Sequence, residues 1–142
     1  MHPGEVGALA LSRVRDTTLF VGGLAFAGVL HLVDPSEATS FPVCPFYAVT
    51  GMYCPGCGTL RCLHALLHLD LRSALDYNAL TVLFVPMLVV AWLSLGLAAI
   101  RGREPPRMWS TPRWTGWAFG STFGLFWLLR NLPLEPFSWM AP

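Results

Sequence analysis

The sequence predicts an all-α integral membrane protein, with three transmembrane helices and a short amphipathic or re-entrant helix between the first and second. Three observations carry that prediction. Of 142 residues, 54% are hydrophobic and only 12% charged, and the mean hydropathy is +0.54, whereas soluble globular domains carry about 25% charged residues. Uncharged apolar runs recur three times, at lengths suited to a hydrocarbon core of about 30 Å. The four cysteines, Cys44, Cys54, Cys57 and Cys62, all lie between the first and second runs, which separates a membrane-anchoring part from a chemical part. All nine basic residues are Arg, set against eight acids for a net charge of +1. No nucleic-acid-binding face is expected from that balance, and the expected partners are the lipid bilayer and other membrane helices. Residues 1–142 read as one membrane domain.

The first run, 17–33, has 17 residues without a formal charge, just enough to span when its flanks contribute. The second, 77–100, has 24 uncharged residues, and Pro86 inside it is expected to kink the helix rather than end it. The third starts at Trp114 and stays uncharged to Leu129. Arg130 is expected to snorkel to lipid headgroups, so that the span closes over 114–134. A cleaved signal peptide competes for the first 40 residues, but its charged leader would be long and no clean A-x-A site follows.

Arg resists translocation and accumulates on the cytoplasmic side. With the N-terminus inside, Arg13, Arg15, Arg101, Arg103, Arg107 and Arg113 are cytoplasmic and only Arg61, Arg72 and Arg130 lie outside. The inner membrane of a cell, crossed several times, is the expected location, with the cysteine segment facing outward. The same arrangement puts Asp34, Glu37, Asp70, Asp76 and Glu135 on the outer side. Gly116, Gly120 and Gly124 form two overlapping G-x-x-x-G steps on one helix face. Such a face admits another backbone closely: helix 1 or 2 of the same chain, with Gly22, Gly23 and Gly28 as a matching surface, or a membrane partner or second copy. Trp109, Trp114, Trp117, Trp127 and Trp139 sit near helix ends and read as interfacial anchors.

Residues 44–76 form the Cys-rich interfacial segment. Pro55 and Gly56 favour a tight turn between Cys54 and Cys57, and Gly58 with Thr59 starts a helix predicted over 59–69, extending as far as Leu75. Leu60, Leu63, Leu66 and Leu67 form its apolar stripe, with Cys57, Arg61, His64 and His68 opposite. The pattern C-P, then T-G-x-x-C-P-G-C-G-x-x-R, a leucine-rich stretch, Asp70, an Ala, and Asn78 opening an apolar helix resembles the domain of unknown function 2752 family of small bacterial integral membrane proteins. The resemblance spans roughly 44–86, a little over a quarter of the chain. Its marked residues fall on Cys44, Pro45, Thr50, Gly51, Cys54, Pro55, Gly56, Cys57, Gly58, Arg61 and Asn78. Ala79 stands where the family tends to have Pro, Cys62 and the two His lie outside the pattern, and the family implies no established activity.

Two chemistries suit these residues. C-P-x-C-G is the turn of zinc knuckles, because Pro and Gly bend the backbone until two thiolates converge on one ion. Cys54 and Cys57 fit it, Cys44 with its own C-P turn offers a third ligand, and His64, His68 or Cys62 a fourth, His64 foremost. Alternatively Cys54, near a helix N-terminus, attacks and Cys57 resolves in thiol–disulfide exchange, with Arg61 as the cation that lowers a thiol pKa. An outward-facing loop meets an oxidising compartment, which favours disulfides, but no thioredoxin-like βαβ unit surrounds the motif. A disulfide from Cys44 to Cys54 or Cys57 would be a plain structural staple. His31, His64 and His68 read first as interfacial or solvated side chains, Asp70 and Asp76 as caps or partners of Arg72, and Asn78 as a helix cap or interhelical hydrogen-bond partner. No Ser/His/Asp order, phosphate-cradling Gly loop or intramembrane carboxylate pair is present, so hydrolase, nucleotide-driven and proton-coupled roles lack support. The expectation is a non-enzymatic membrane protein whose Cys segment, held by a disulfide or by a metal such as zinc, is a platform for a partner; membrane thiol–disulfide oxidoreductase is the alternative.

Overall fold

The structure, a computed structural model, describes residues 3–36, 44–102, 112 and 114–133. Trp109, Trp139, Glu37, Glu135, Arg103, Arg107, Arg113 and the end of the third predicted span lie outside the described residues. Five helices follow one another, α1 (Pro3–Leu32), α2 (Pro45–Thr50), α3 (Thr59–Leu67), α4 (Leu71–Arg101) and α5 (Trp114–Arg130), and no strand occurs among the described residues.

One described helix, α4, is long and apolar enough to cross a membrane. Among the described residues, the helices of the other two predicted spans are shorter or less apolar. α5 has 17 residues, about 26 Å at 1.5 Å per residue. α1 is longer, 30 residues, but Arg13, Arg15 and Asp16 sit inside it and Val33 lies beyond its end, so its uncharged stretch is short.

Local chemistry sets the boundaries of the Cys-rich segment. Pro45 opens α2 at its first position, where a missing N–H costs no hydrogen bond, and Gly51 ends it at φ +70°, donating to the Tyr47 carbonyl at 2.8 Å. α3 stops at Leu67, short of the predicted 69. Leu69 turns left-handed at φ +60°, which brings the Asp70 N–H back to the Ala65 carbonyl at 2.9 Å. Asp70 then caps α4, accepting from the Ser73 N–H at 3.1 Å and the Ser73 hydroxyl at 2.6 Å. That cap starts α4 six residues before the predicted Tyr77.

α4 continues through Pro86, as expected of a proline that does not end the helix, and its backbone leaves helical dihedrals at Asn78 (φ −165°, ψ 93°). There the side-chain oxygen of Asn78 accepts from the Thr81 N–H at 3.0 Å, so Asn78 caps the second half of α4. Thr81 would otherwise serve the Tyr77 carbonyl, and the break frees that oxygen for other partners.

The chain divides into two compact units, Met1–Val29 with Val85–Ser110, and Leu30–Phe84 with Thr111–Pro142. In the first, Trp92 of α4 lies against Gly23 of α1 and stacks on Phe20 with ring centroids 4.6 Å apart, while Phe20 occupies the space beside Gly96. Small residues on α1 thus admit a large aromatic side chain. In the second, Cys62 and Ala65 of α3 meet Ala74 of α4 in a buried cluster flanked by Leu66, Tyr77 and Val82. α5 joins through Phe119 and Phe123, which stack on Phe84 at 5.2 and 5.6 Å. Among the described residues, no atom lies within 4 Å of where a Cβ on Gly116, Gly120 or Gly124 would stand. The aromatic side of α5 makes its contact instead, because stacked rings cover more area than a glycine stripe does. Trp114 and Trp117 are exposed, as an aromatic anchor requires.

Candidate functional site

The sulfurs of Cys44, Cys54 and Cys57 lie within 4.8 Å of one another. The separations are 3.5 Å from Cys44 to Cys54 and 3.1 Å from Cys54 to Cys57, and all three are free thiols. Two turns bring them together. The Cys44-Pro45 turn into α2 presents Cys44 at the helix N-terminus. The Cys54–Cys57 turn closes through Cys57 N–H to the Cys54 carbonyl at 3.1 Å and Thr59 N–H to the Gly56 carbonyl at 3.1 Å. The Cys54 N–H donates to the Cys57 sulfur at 3.2 Å, the kind of N–H···S contact that favours thiolate ligands.

Gly58 lets this turn run into α3. It sits at φ +82°, and a Cβ there would stand 2.6 Å from the Tyr77 carbonyl oxygen, so both conformation and space require glycine.

Two asparagines clamp the motif. Asn78, 1% exposed, donates from Nδ2 to the carbonyls of Pro55 at 2.9 Å and Cys57 at 3.1 Å, inside the turn itself. Asn131, just past α5, accepts from the Tyr53 N–H and donates to the Tyr53 carbonyl, both at 2.9 Å. This pair of bonds fixes the residue preceding Cys54 to the end of α5. The spacing marked Asn78; nothing in the sequence marked Asn131, which is one polar residue at a helix end among many.

Electrostatics distinguish the thiols. The Tyr47 backbone N–H in the first turn of α2, seconded by the Cys54 side chain, lowers the Cys44 pKa to about 7. Burial, with the Cys54 side chain second, pushes Cys57 up to about 12. Burial likewise raises Cys62 to about 11. Cys62 is 0% exposed, its thiol directed at the Asn78 carbonyl at 3.5 Å, and it serves as a small packing residue between α3 and α4, apart from the three-sulfur group.

The histidines are placed elsewhere. His64 meets the Leu30 carbonyl through Nδ1 at 2.5 Å, His68 meets the His64 carbonyl at 2.9 Å, and His68 stacks against both His31 and His64 at 4.4 and 4.3 Å. They tie α3 to the end of α1, and the sulfur group contains neither. Arg61 acts on Asp34, whose carboxylate the Ser36 N–H chiefly holds below the ordinary range.

The cation beside the cysteines is Arg130, and here the structure corrects the sequence reading. Arg130 does not snorkel outward: it is 2% exposed, donates to the freed Tyr77 carbonyl at 3.2 Å, and lies over the rings of Phe126 and Tyr53 at 5.5 and 5.8 Å. The kink at Asn78 supplies the acceptor that draws it inward.

This arrangement can hold a thiophilic ion. Three thiolates bound at about 2.3 Å in tetrahedral geometry stand roughly 3.8 Å apart, within the spread of this group. No curated protein and no solved structure gives a significant match to the chain. Residues 44–92, 49 of the 142, match the model of a family described as Protein of unknown function (DUF2752); the match runs from Cys44 through α2, α3 and most of α4.

Proposed function

We propose that the chain is a three-span membrane protein, N-terminus cytoplasmic, whose outward-facing α2–α3 segment is fastened by a metal ion on Cys44, Cys54 and Cys57 and serves a membrane partner as a rigid, non-enzymatic platform. The observation that carries this reading is the convergence of three sulfurs from two C-P turns to within 4.8 Å. Divalent zinc suits three thiolates with an open fourth position. With no fourth protein donor in the group among the described residues, water or a donor from the partner completes it. α1 spans over 17–33 and α5 over 114–134 in this reading, and the open Gly116–Gly120–Gly124 face of α5 is where the partner helix or a second copy docks.

The test is the metal content of the full chain purified in mild detergent. About one equivalent of zinc is expected, lost in Cys44→Ser, Cys54→Ser and Cys57→Ser and retained in Cys62→Ser. An equally metal-free wild type would overturn the reading. For orientation, an impermeant thiol reagent on intact cells should reach Cys44 after metal removal; labelling from the cytoplasmic side alone would overturn it.

A second reading rests on the 3.1 Å contact between Cys54 and Cys57. In a thiol–disulfide oxidoreductase Cys54 attacks a partner disulfide, Cys57 resolves the mixed disulfide, and the partner leaves with two thiols and the two electrons. Cys57→Ser would then trap a partner adduct through Cys54. In the metal reading no adduct accumulates.

A further inference from the structure

A buried guanidinium without a carboxylate is costly even after relaxation, and Arg130 is such a group. Among the described residues its Nε and Nη1 are buried without a hydrogen-bond partner, its one bond is to the neutral Tyr77 carbonyl, and no acidic side chain pairs with it. What surrounds it is the cysteine motif. A Cβ on Gly58, the residue after Cys57, would stand 3.7 Å from its Nη2, and its electrostatic partners are Cys57, Cys54 and Tyr53. A cation near the end of a membrane helix that turns inward calls for an anionic partner, and the candidate anions here are the cysteine sulfurs.

We infer that Arg130 is the counter-ion of a three-thiolate metal centre, a positioning residue that holds the centre's negative charge from the end of α5 without ligating the ion. The inference rests on the metal reading above. Three thiolates with one divalent ion carry a net charge of −1, and the buried guanidinium beside this half-buried group brings the ensemble to neutrality, the state that low dielectric favours. Both members lose by separation: the ion-free thiols leave Arg130 uncompensated, and removal of Arg130 leaves a half-buried centre with a net negative charge. Asn131, the next residue, grips Tyr53, so the charge contact and the backbone clamp act on the same turn from the same helix end. Metal binding in the α2–α3 segment is thereby coupled to the position of α5.

The test uses the full chain in detergent with Co2+ as probe, read by its thiolate charge-transfer absorption and by competition with a chelator. Arg130→Gln and Arg130→Met, the second keeping the length of the buried stem, are expected to weaken Co2+ binding roughly tenfold or more, the loss a buried unit charge implies. Arg130→Lys, which keeps the charge but not the fork, is expected within about threefold of wild type. Helix content and monodispersity identify variants that fold, and either neutral variant suffices. Neutral variants that bind as tightly as wild type overturn the inference, as does a lysine variant as weak as the neutral ones, since the role would then be packing. A wild type without any charge-transfer band overturns the metal reading itself, which keeps the two failures apart.

Discussion

Asn78 makes the most exposing test of how the cysteine turn is held. Its side chain satisfies three backbone groups at once, the carbonyls of Pro55 and Cys57 and the N–H of Thr81, from a position 1% exposed to solvent. In Asn78→Ala all three lose their partner at a position almost closed to solvent. At the ~0.6 kcal/mol average found for side-chain hydrogen bonds within membrane proteins the loss is about 2 kcal/mol. At about 1 to 1.5 kcal/mol per bond, typical of buried bonds left one-sided and of lost helix caps, it reaches about 3 to 5 kcal/mol. Reversible unfolding in mixed micelles, followed by helix content, measures it. Asn78→Asp separates the two functions of the side chain: it keeps the oxygen that caps the second half of α4, but sets a carboxylate against two carbonyls. It is expected to cost at least as much as Ala. In both variants Cys57, buried in the wild type, should become alkylatable under native conditions. A cost below about 1 kcal/mol for Asn78→Ala, with Cys57 still protected, would refute the view that this side chain organises the turn.

Other outcomes follow from the same geometry. Gly58→Ala meets both a left-handed φ and a 2.6 Å approach to the Tyr77 oxygen, so a loss of about 2 kcal/mol or more is expected, together with weaker metal retention; near-wild-type unfolding would contradict the required close approach. Asn131→Leu removes both bonds to Tyr53 and should cost about 1 to 3 kcal/mol while raising the alkylation rate of Cys54, read by mass spectrometry. For the metal-free protein, Cys44 should alkylate with a midpoint near pH 7 and Cys57 should resist up to about 12. The stability signs are opposite: the contribution of the acidified Cys44 is present above its ordinary value of 9.0 and lost as pH falls through about 7, whereas that of Cys57 is present below 9.0 and lost as pH rises toward about 12. Equal alkylation profiles would contradict the inequivalence of the two thiols.

Much of this was legible in the residues. Charge depletion and apolar runs give the helical class, and the two C-P turns give the trio Cys44, Cys54 and Cys57, since Pro and Gly dictate where the backbone bends whatever surrounds it. Local capping was only partly legible: Asp70 starts α4 early through Ser73, a short-range signal that the uncharged run at 77–100 overshadowed. What escaped is tertiary. Arg130 looks like a snorkelling residue because the residues before it are apolar, and only the Tyr77 carbonyl, 53 positions earlier and freed by the break at Asn78, shows why it turns inward. His64 sits at a ligand-like spacing, yet the carbonyl of Leu30 reaches it from α1, which no periodicity in α3 reveals. Glycines 116, 120 and 124 spell a packing motif, but a motif names a surface and not its occupant.

In the proposed metal centre three cysteines and no other side chain hold one ion, and X-ray absorption at the zinc edge of the full chain reports its ligands directly. One equivalent of zinc is expected, with three sulfur neighbours at about 2.3 Å and one lighter atom, unchanged in His64→Ala and Cys62→Ser. A shell of four sulfurs, a histidine contribution lost in His64→Ala, or a Cys54–Cys57 disulfide with no bound metal would contradict it.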